Sequence, residues 1–108
     1  MNIQFTDNSK EVSDNIKAAL LRGLETCGLV AEGYAKKLAP VDTGNLRNSI
    51  THSVDEEEPA AYIGTNVEYA PYQELGTIHM KAQPFLKPAV ADHANEYRKI
   101  IENELKNG

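Results

Sequence analysis

The chain has 108 residues, of which 41% are hydrophobic and 25% charged, values that predict one globular domain spanning residues 1–108. Sixteen acidic residues outnumber 11 basic ones, and the net charge of −5 argues against a generic nucleic-acid binder, which needs a basic face to displace phosphate counterions. No apolar run approaches the ~20 residues of a membrane-spanning helix. With one cysteine and no secretion-signal pattern, we expect a cytoplasmic protein without an internal disulfide.

The first predicted element is a long amphipathic helix, because its apolar residues recur every three or four positions. Asn8 and Glu11 have the spacing of a helix-capping pair. Pro40 predicts the end of the helix, because a proline disfavours the α conformation of the residue before it. The apolar stripe comprises Val12, Ile16, Leu20, Leu24, Cys27, Ala31, Tyr34 and Leu38.

The predicted helix has about 30 residues and a length on the order of 45 Å. A globule of this chain length is only roughly 30 Å across. We therefore expect one end of the helix to project, or the helix to pack on a neighbouring subunit. Gly23, Gly28 and Gly33 lie inside it, where each permits a close approach by another element or marks a bend.

The helix is followed by the triplet Asp42-Thr43-Gly44, which in aspartic proteases carries the catalytic carboxylate. That chemistry needs two carboxylates about 3 Å apart that share a proton, held on a rigid loop after a buried strand. Here the triplet follows a helix and a proline, and no glycine-rich flap is present. We interpret the segment as a structural turn, in which Pro40 ends the helix, Asp42 accepts backbone hydrogen bonds and Gly44 can adopt positive φ.

A β-hairpin is predicted next. Ile50, His52 and Val54 alternate with polar residues at the two-residue period of a half-buried strand. The acidic segment 55–59 ends in proline and predicts an exposed loop. Residues 60–65 then predict the returning strand.

A short helix is predicted after the hairpin, because Tyr69, Tyr72 and Leu75 have one-turn spacing and Gly76 can end a helix. Residues 77–80 predict a short additional strand.

A second long helix is predicted at the C-terminus. Its apolar residues recur at helical spacing from Leu86 to Leu105, and Pro84 and Pro88 stand at its start, where proline is tolerated. Helices at both ends of a small antiparallel sheet predict an α+β domain.

The residues that could carry catalysis or bind a metal form no recognisable pattern. The three histidines are far apart and match no zinc-ligand spacing. Cys27 lies in the middle of the predicted helix without a histidine on its face, so we interpret it as a core residue. No glycine-rich phosphate loop is present. We therefore expect no enzymatic activity, no cofactor and no metal site.

Four segments, taken in order, resemble a family of small tail components of long-tailed, non-contractile bacteriophages (siphophages) and prophages. The family is gene-product-ten-like, after an HK-type lambdoid phage. The segments are APVDTGNLRNSI at 39–50, YIGTN at 62–66, YAPYQELGT at 69–77 and AQPFLKPA at 82–89. The resemblance extends from about residue 10 to residue 105. Family members typically have Phe where this chain has Leu75.

The resemblance implies a structural virion protein without catalytic residues, assigned to head–tail joining or tail completion. Such proteins act as copies arranged around the axis through which DNA passes, at the head-proximal end of the tail. The implied partners are copies of the chain itself, the tail tube or terminator, and the head connector. The implied location is the virion, after assembly in the host cytoplasm.

Two surfaces are candidates for contacts in such an assembly. An acidic loop could face the DNA path or dock on a neighbour, and its alternative is a plain solvated hairpin tip. A second surface, rich in tyrosine, could form a subunit contact, and its alternative is internal packing over the sheet; there Arg47 could pair with Glu74 or with a neighbour. The loop comprises Asp55, Glu56, Glu57 and Glu58, and the second surface comprises Tyr69, Pro71, Tyr72, Glu74 and Arg47.

The sequence thus favours a head–tail joining protein that acts by ring assembly. A tail terminator, which caps the tail tube, is the nearest alternative, because it too needs a small ring-forming subunit. A small regulatory or binding module is the alternative from another class. An aspartic protease dimer is the enzymatic alternative, and it would require a peptidase activity that depends on Asp42.

Overall fold

The computed structural model describes residues 14–39, 44–68, 70–76 and 81–107. The predicted α+β class is confirmed, with a long first helix, a two-stranded antiparallel sheet and a helical C-terminus. The molecule is elongated, at 52 × 21 × 21 Å. The elements are α1 (Asp14–Leu38), α2 (Gly44–Ser49), β1 (Thr51–Asp55), β2 (Ala60–Gly64), α3 (Ala70–Leu75), α4 (Leu86–Ala91) and α5 (Ala94–Asn107).

Helix α1 is the central element of the fold, and it contacts α2, both strands of the hairpin, α4 and α5. Its 25 residues span about 37 Å. The middle of the predicted apolar stripe is buried, including Leu24 and Cys27 at 0% exposure, whereas Ile16 and Leu38 near its ends are exposed. The predicted capping pair near residue 8 lies outside the described residues. Burying a leucine as fully as Leu24 contributes roughly 1.5–3 kcal/mol.

The predicted hairpin is confirmed. Strands β1 and β2 are antiparallel, with His52 opposite Ile63 and Val54 opposite Ala61. Val54, Ala61 and Ile63 belong to, or pack against, an apolar cluster shared with α1, whereas Tyr62 is exposed on the other side of the strand. The alternation of burial places one face of the hairpin on α1.

The short helix predicted after the hairpin is also confirmed as α3. Gly76 follows its last residue and has a φ of 78°, the left-handed conformation in which glycine ends a helix without steric cost. The strand predicted at 77–80 lies outside the described residues. Leu75, the last residue of the predicted apolar stripe of α3, is 79% exposed.

The single C-terminal helix predicted from Leu86 to Leu105 is wrong, because the chain forms α4 and α5 with a break at residues 92–93. The hydroxyl of Tyr97 donates to the carbonyl oxygen of Ala89, the group that would accept the amide of His93 in an uninterrupted helix. The ring of His93 stacks on Tyr34 of α1, with ring centroids 3.6 Å apart.

Because of the break, α4 and α5 pack into two different apolar clusters along α1. Helix α5 contributes to the first cluster, and α4 with the residue before it contributes to the second. The first comprises Leu20, Leu24, Cys27, Ala31, Ala61, Tyr97 and Ile101. The second comprises Ala35, Ala39, Leu46, Ile50, Ala70, Phe85 and Ala89. A straight C-terminal helix would not follow both.

Candidate functional site

The hairpin tip, residues 55–58, is an ordered acidic turn. The Asp55 carboxylate accepts hydrogen bonds from the backbone amides of Glu57 and Glu58, at 2.9 and 3.2 Å. The carboxylate of Glu58 in turn accepts a hydrogen bond from the hydroxyl of Tyr62, which raises the pKa of that tyrosine. All four acidic residues are exposed. The predicted acidic loop therefore exists, with Asp55 and Glu58 holding its shape.

The hairpin is attached to α1 by an imidazole between two carboxylates. His52 Nε2 lies 2.6 Å from Glu25 Oε1, and His52 Nδ1 lies 3.1 Å from Glu32 Oε1. An imidazole donates from both nitrogens only when it is protonated. The arrangement therefore favours the imidazolium form, and Lys36 adds an ion pair to Glu32 at 3.4 Å.

The titration of these groups follows from their contacts. The hydrogen bond to Glu25, opposed by burial and assisted by Glu32, raises the pKa of His52. Burial raises the pKa of Glu32, but the hydrogen bonds to His52 and Lys36 outweigh it, so the pKa of that carboxyl is lowered overall. Each group stabilises the charged form of the other.

A glycine makes this close contact possible. A Cβ added at Gly28 would lie 2.9 Å from Cδ2 of His52, closer than a side chain tolerates. Gly28 stands between Glu25 and Glu32 on α1, so the helix offers a groove for the ring and a carboxylate on either side of it. We call His52, Glu25, Glu32 and Gly28 the histidine clamp.

The other end of the hairpin, where β1 begins and β2 ends, meets α2 and α3. Ser49 bonds to the carbonyl of Leu46 at 2.7 Å and to the hydroxyl of Thr65, which also accepts the amide of Val67 at 3.1 Å. These bonds fix an open depression of ≈ 300 Å³. It is lined by Thr65, Asn66, Val67, Glu68, Ala70, Pro71 and Leu86.

Glu74 has an intrachain role. Its Oε1 accepts the amides of Phe85 and Leu86 at 3.1 and 2.9 Å, and its Oε2 accepts the amide of Lys87 at 3.2 Å. These are unpaired amides at the start of α4, which a carboxylate satisfies well. Glu74 therefore joins α3 to α4, and it forms no pair with Arg47 among the described contacts.

Arg47 of α2 presents an unusual donor. Its Nε is shielded from solvent and has no hydrogen-bond acceptor. A buried donor left unsatisfied costs about 1–3 kcal/mol. No described carboxylate forms an ion pair with Arg47.

The HK97-gp10-like family model, described as "Bacteriophage HK97-gp10, putative tail-component", matches residues 3–76. This chain belongs to the HK97-gp10-like family. No curated protein and no solved structure matches it.

The match spans more than half of the HK97-gp10-like chain and contains α1, α2, the hairpin and α3. It includes the histidine clamp, the acidic tip and Arg47. The resemblance seen in the sequence extended to about residue 105, but α4 and α5 lie beyond the matched residues. The recognised segment at 82–89 is therefore outside the family match.

Only some of the remaining predicted site residues of this HK97-gp10-like protein lie among the described residues. Pro71 is exposed and lines the depression. Tyr72 belongs to α3, but its side chain, like all of Tyr69, lies outside the described residues. Pro40 and Asp42 also lie outside them, whereas Gly44 begins α2.

Cys27 is a core residue, as the sequence predicted. Burial raises the pKa of its thiol to about 11, and its Sγ donates to the carbonyl oxygen of Tyr97 at 3.5 Å. A thiol held in this way is a poor nucleophile.

Among the described residues, no cluster of His, Cys, Asp and Glu has the arrangement of a metal site. No helix in the same part of the chain is both long and apolar enough to cross a membrane.

Sequence reasoning missed three features of this region: the histidine clamp, the Glu74 bonds to α4 and the shielded Nε of Arg47. A signal for the clamp is present, because Glu25 and Glu32 are two helical turns apart with Gly28 between them. A glycine between two glutamates on one helix face leaves space in which a cationic side chain can approach the helix. The residue that fills the groove, His52, could not be named without the fold.

Proposed function

We propose that this HK97-gp10-like protein is a structural component of the phage head–tail junction. In this proposal it completes the tail and joins it to the head by assembling as a ring of copies around the DNA path. The observation that carries the proposal is the match to a phage tail-component family over α1, α2, the hairpin and α3. The proposed partners are copies of itself, the tail tube or terminator protein, and the head connector.

The charge of the molecule supports a role beside DNA without binding it. The net charge is −5, and the four acidic residues of the hairpin tip are exposed. A surface of this sign repels phosphate and lets DNA slide past. We assign the tip to the side of the ring that faces the DNA path or a neighbouring copy.

The outer side of α1 supports assembly. Leu29 is 57% exposed, and Gly33 lies one helical turn beyond it on the same face. A Cβ added at Gly33 would meet nothing within 4 Å, so packing inside the chain does not require this glycine. Glycine inside a helix costs roughly 1 kcal/mol relative to alanine. Close approach by a neighbouring copy would account for a glycine beside an exposed leucine.

The proposal assigns no catalysis to the protein. The family is one of tail components, and the Cys27 thiol is committed to the core. Asp42, the residue of the protease alternative, would need a symmetric partner carboxylate. Loss of a pepstatin-sensitive cleavage in Asp42→Asn would be the positive evidence for that alternative.

Electron microscopy of a lysate from the parent phage with this gene deleted tests the proposal. Filled heads and separate tails of normal length that fail to join are the expected result. Tails of abnormal length would replace it with the tail-terminator role. Normal, infectious particles would remove the protein from the virion pathway and favour the regulatory-module alternative, which predicts stable binding to a host protein in the absence of other phage parts.

A further inference from the structure

We propose that neighbouring copies of the protein contact each other head to tail, with Arg47 of one copy bound by the carboxylates of Glu56 and Glu57 in the hairpin tip of the next. The inference rests on the ring assembly proposed above and names the residues of its interface. The occupant of the Arg47 surface is a second copy of this chain.

Arg47 supplies the first half of the contact. Its Nε is removed from solvent without an acceptor in the chain, and no described carboxylate pairs with its guanidinium. A guanidinium binds carboxylates through parallel hydrogen bonds from a planar set of donors. Glu74, the carboxylate that the sequence suggested as a partner of Arg47, is occupied by three backbone amides of α4. Arg47 as a whole is only partly buried, so a carboxylate of a neighbouring copy can bind the remaining nitrogens of the guanidinium.

The hairpin tip supplies the second half. Within it, Asp55 and Glu58 are engaged in bonds that hold the turn. Glu56 and Glu57 are exposed, and neither forms an ion pair among the described residues. The tip is thus a pre-formed turn that presents two carboxylates without a partner. Pre-formed turns lose little conformational freedom on binding.

The two halves lie at opposite ends of the hairpin. Thr51, next to α2, pairs with Gly64, and Asp55, at the tip, pairs with Ala60. The four residue steps between these pairs correspond to about 14 Å, so one copy cannot pair its own Arg47 with its own tip. Two different, complementary patches on one subunit generate a head-to-tail contact, and such contacts close into a ring when the rotation between copies permits it.

Disulfide trapping in assembled particles tests this contact. The variant carries Arg47→Cys and Glu57→Cys on one chain and replaces the wild-type gene in the parent phage. Particles are oxidised, alkylated and run on a non-reducing gel. The buried thiol of Cys27 stays out of the reaction in the folded protein. We expect a ladder of species larger than a dimer. The control pair is Arg98→Cys with Glu57→Cys. Arg98 is exposed on α5 and is not part of the proposed contact, so we expect this pair to give only monomer.

Charge reversal gives a second readout that does not depend on cysteine chemistry. Arg47→Glu is expected to lower the titre of infectious particles at least tenfold, and adding Glu56→Lys and Glu57→Lys to the same chain is expected to restore it. Arg98→Glu, the matched control at an exposed cation, is expected to leave the titre within about twofold. Circular dichroism of each purified variant shows that a lost titre reflects assembly and not unfolding.

Particles that contain the double-cysteine variant but yield only monomer would overturn the proposal, as would a ladder from the control pair alone. Dimers without larger species would mean a symmetric contact and would also overturn it. A tip that cross-links to a different virion protein would assign that protein as the partner and reject the second copy. If the ladder forms but the deletion mutant still joins heads to tails normally, the interface is supported and the head–tail joining role is rejected. A joining defect without a ladder would do the reverse.

Discussion

Helix α5 and the hairpin, two of the units packed on α1, are held in different ways. Helix α5 is held by apolar burial, and α1 approaches it closely at Gly23, where an added Cβ would lie 3.3 Å from the backbone of Ile101. The hairpin is held partly by charge, because Gly28 admits the ring of His52 between two glutamates. The comparison teaches that α5 is held by apolar packing at this contact, whereas the hairpin combines apolar packing with a contact whose strength depends on the protonation of His52.

The largest effect is expected from a substitution that disrupts the apolar packing between α1 and α5. Leu24→Ala removes a fully buried side chain from the first cluster, and we expect the free energy of unfolding to fall by about 2–5 kcal/mol. Urea denaturation followed by circular dichroism measures it. Leu29→Ala is the matched control on the same helix, because Leu29 is mostly exposed, and its effect should stay within about 0.5 kcal/mol. Equal effects of the two substitutions would contradict the assignment of the core.

A smaller effect on stability is expected from a substitution that disturbs the histidine clamp between the hairpin and α1. Gly28→Ala places a methyl group against the ring of His52, and relieving that contact separates the hairpin from the helix. We expect the variant to be less stable than Gly33→Ala by about 1–3 kcal/mol. Gly33→Ala meets no neighbour and should itself gain up to ~1 kcal/mol from helix propensity. Equal stabilities of the two alanine variants would show that the histidine clamp does not constrain Gly28.

A second polar junction, between α3 and α4, is expected to be of similar or smaller weight. Glu74→Ala leaves three amides at the start of α4 without their acceptor, and we expect a loss of about 0.5–2 kcal/mol, the range for a lost helix cap. Glu68→Ala, a nearby exposed acidic residue, is the control. Faster amide hydrogen exchange at residues 85–87 in Glu74→Ala alone would locate the change. Unchanged exchange there would refute the capping role.

The smallest expected effect is the pH dependence of the clamp. The folded-state pKa of His52 is raised, so its contribution is fully present below the unfolded value of about 6.5 and is lost as the pH rises through the folded value. The folded-state pKa of Glu32 is lowered, so its contribution is present above the unfolded value of about 4.3 and is lost as the pH falls below it. Clamp stability is therefore greatest between these limits.

The free energy of unfolding, measured across pH 5–9, checks the direction of this pH dependence. Wild type should become less stable as the pH rises above about 6.5, because the imidazole then loses a proton and with it one of its two hydrogen bonds to a carboxylate. His52→Gln should lack that loss. Glu25→Gln should reduce it more than Glu32→Gln does, because the shorter hydrogen bond to Glu25 is the principal cause of the raised pKa of His52. A wild-type stability that increases with pH over this range would contradict the clamp.

The features that could be predicted from the sequence are those set by local chemistry. Apolar spacing predicts the body of α1, alternation predicts β1, and Gly76 predicts the end of α3 through its positive φ. The acidic tip could be predicted for the same reason, because a short run of charged residues that ends in proline favours an exposed turn.

The features that could not be predicted are set by contacts between distant residues. The break between α4 and α5 depends on Tyr97 bonding to Ala89 and on His93 stacking against Tyr34, and the apolar period of the segment is unbroken across it. Glu74 caps a helix that begins more than ten residues later. Neither pairing leaves a local pattern in the sequence, so the sequence predicts one C-terminal helix and places Glu74 at a subunit contact or in a pair with Arg47.

The position of the protein in purified particles tests the central claim most directly. Particles would be labelled with gold-conjugated antibody against the chain, in intact phage and in detached tails, and imaged by electron microscopy. Head–tail joining predicts a label at the junction in intact phage, and ring assembly predicts several copies per particle on a quantitative immunoblot. A label at the distal tip of the tail, or particles that contain none of the protein, would contradict the account.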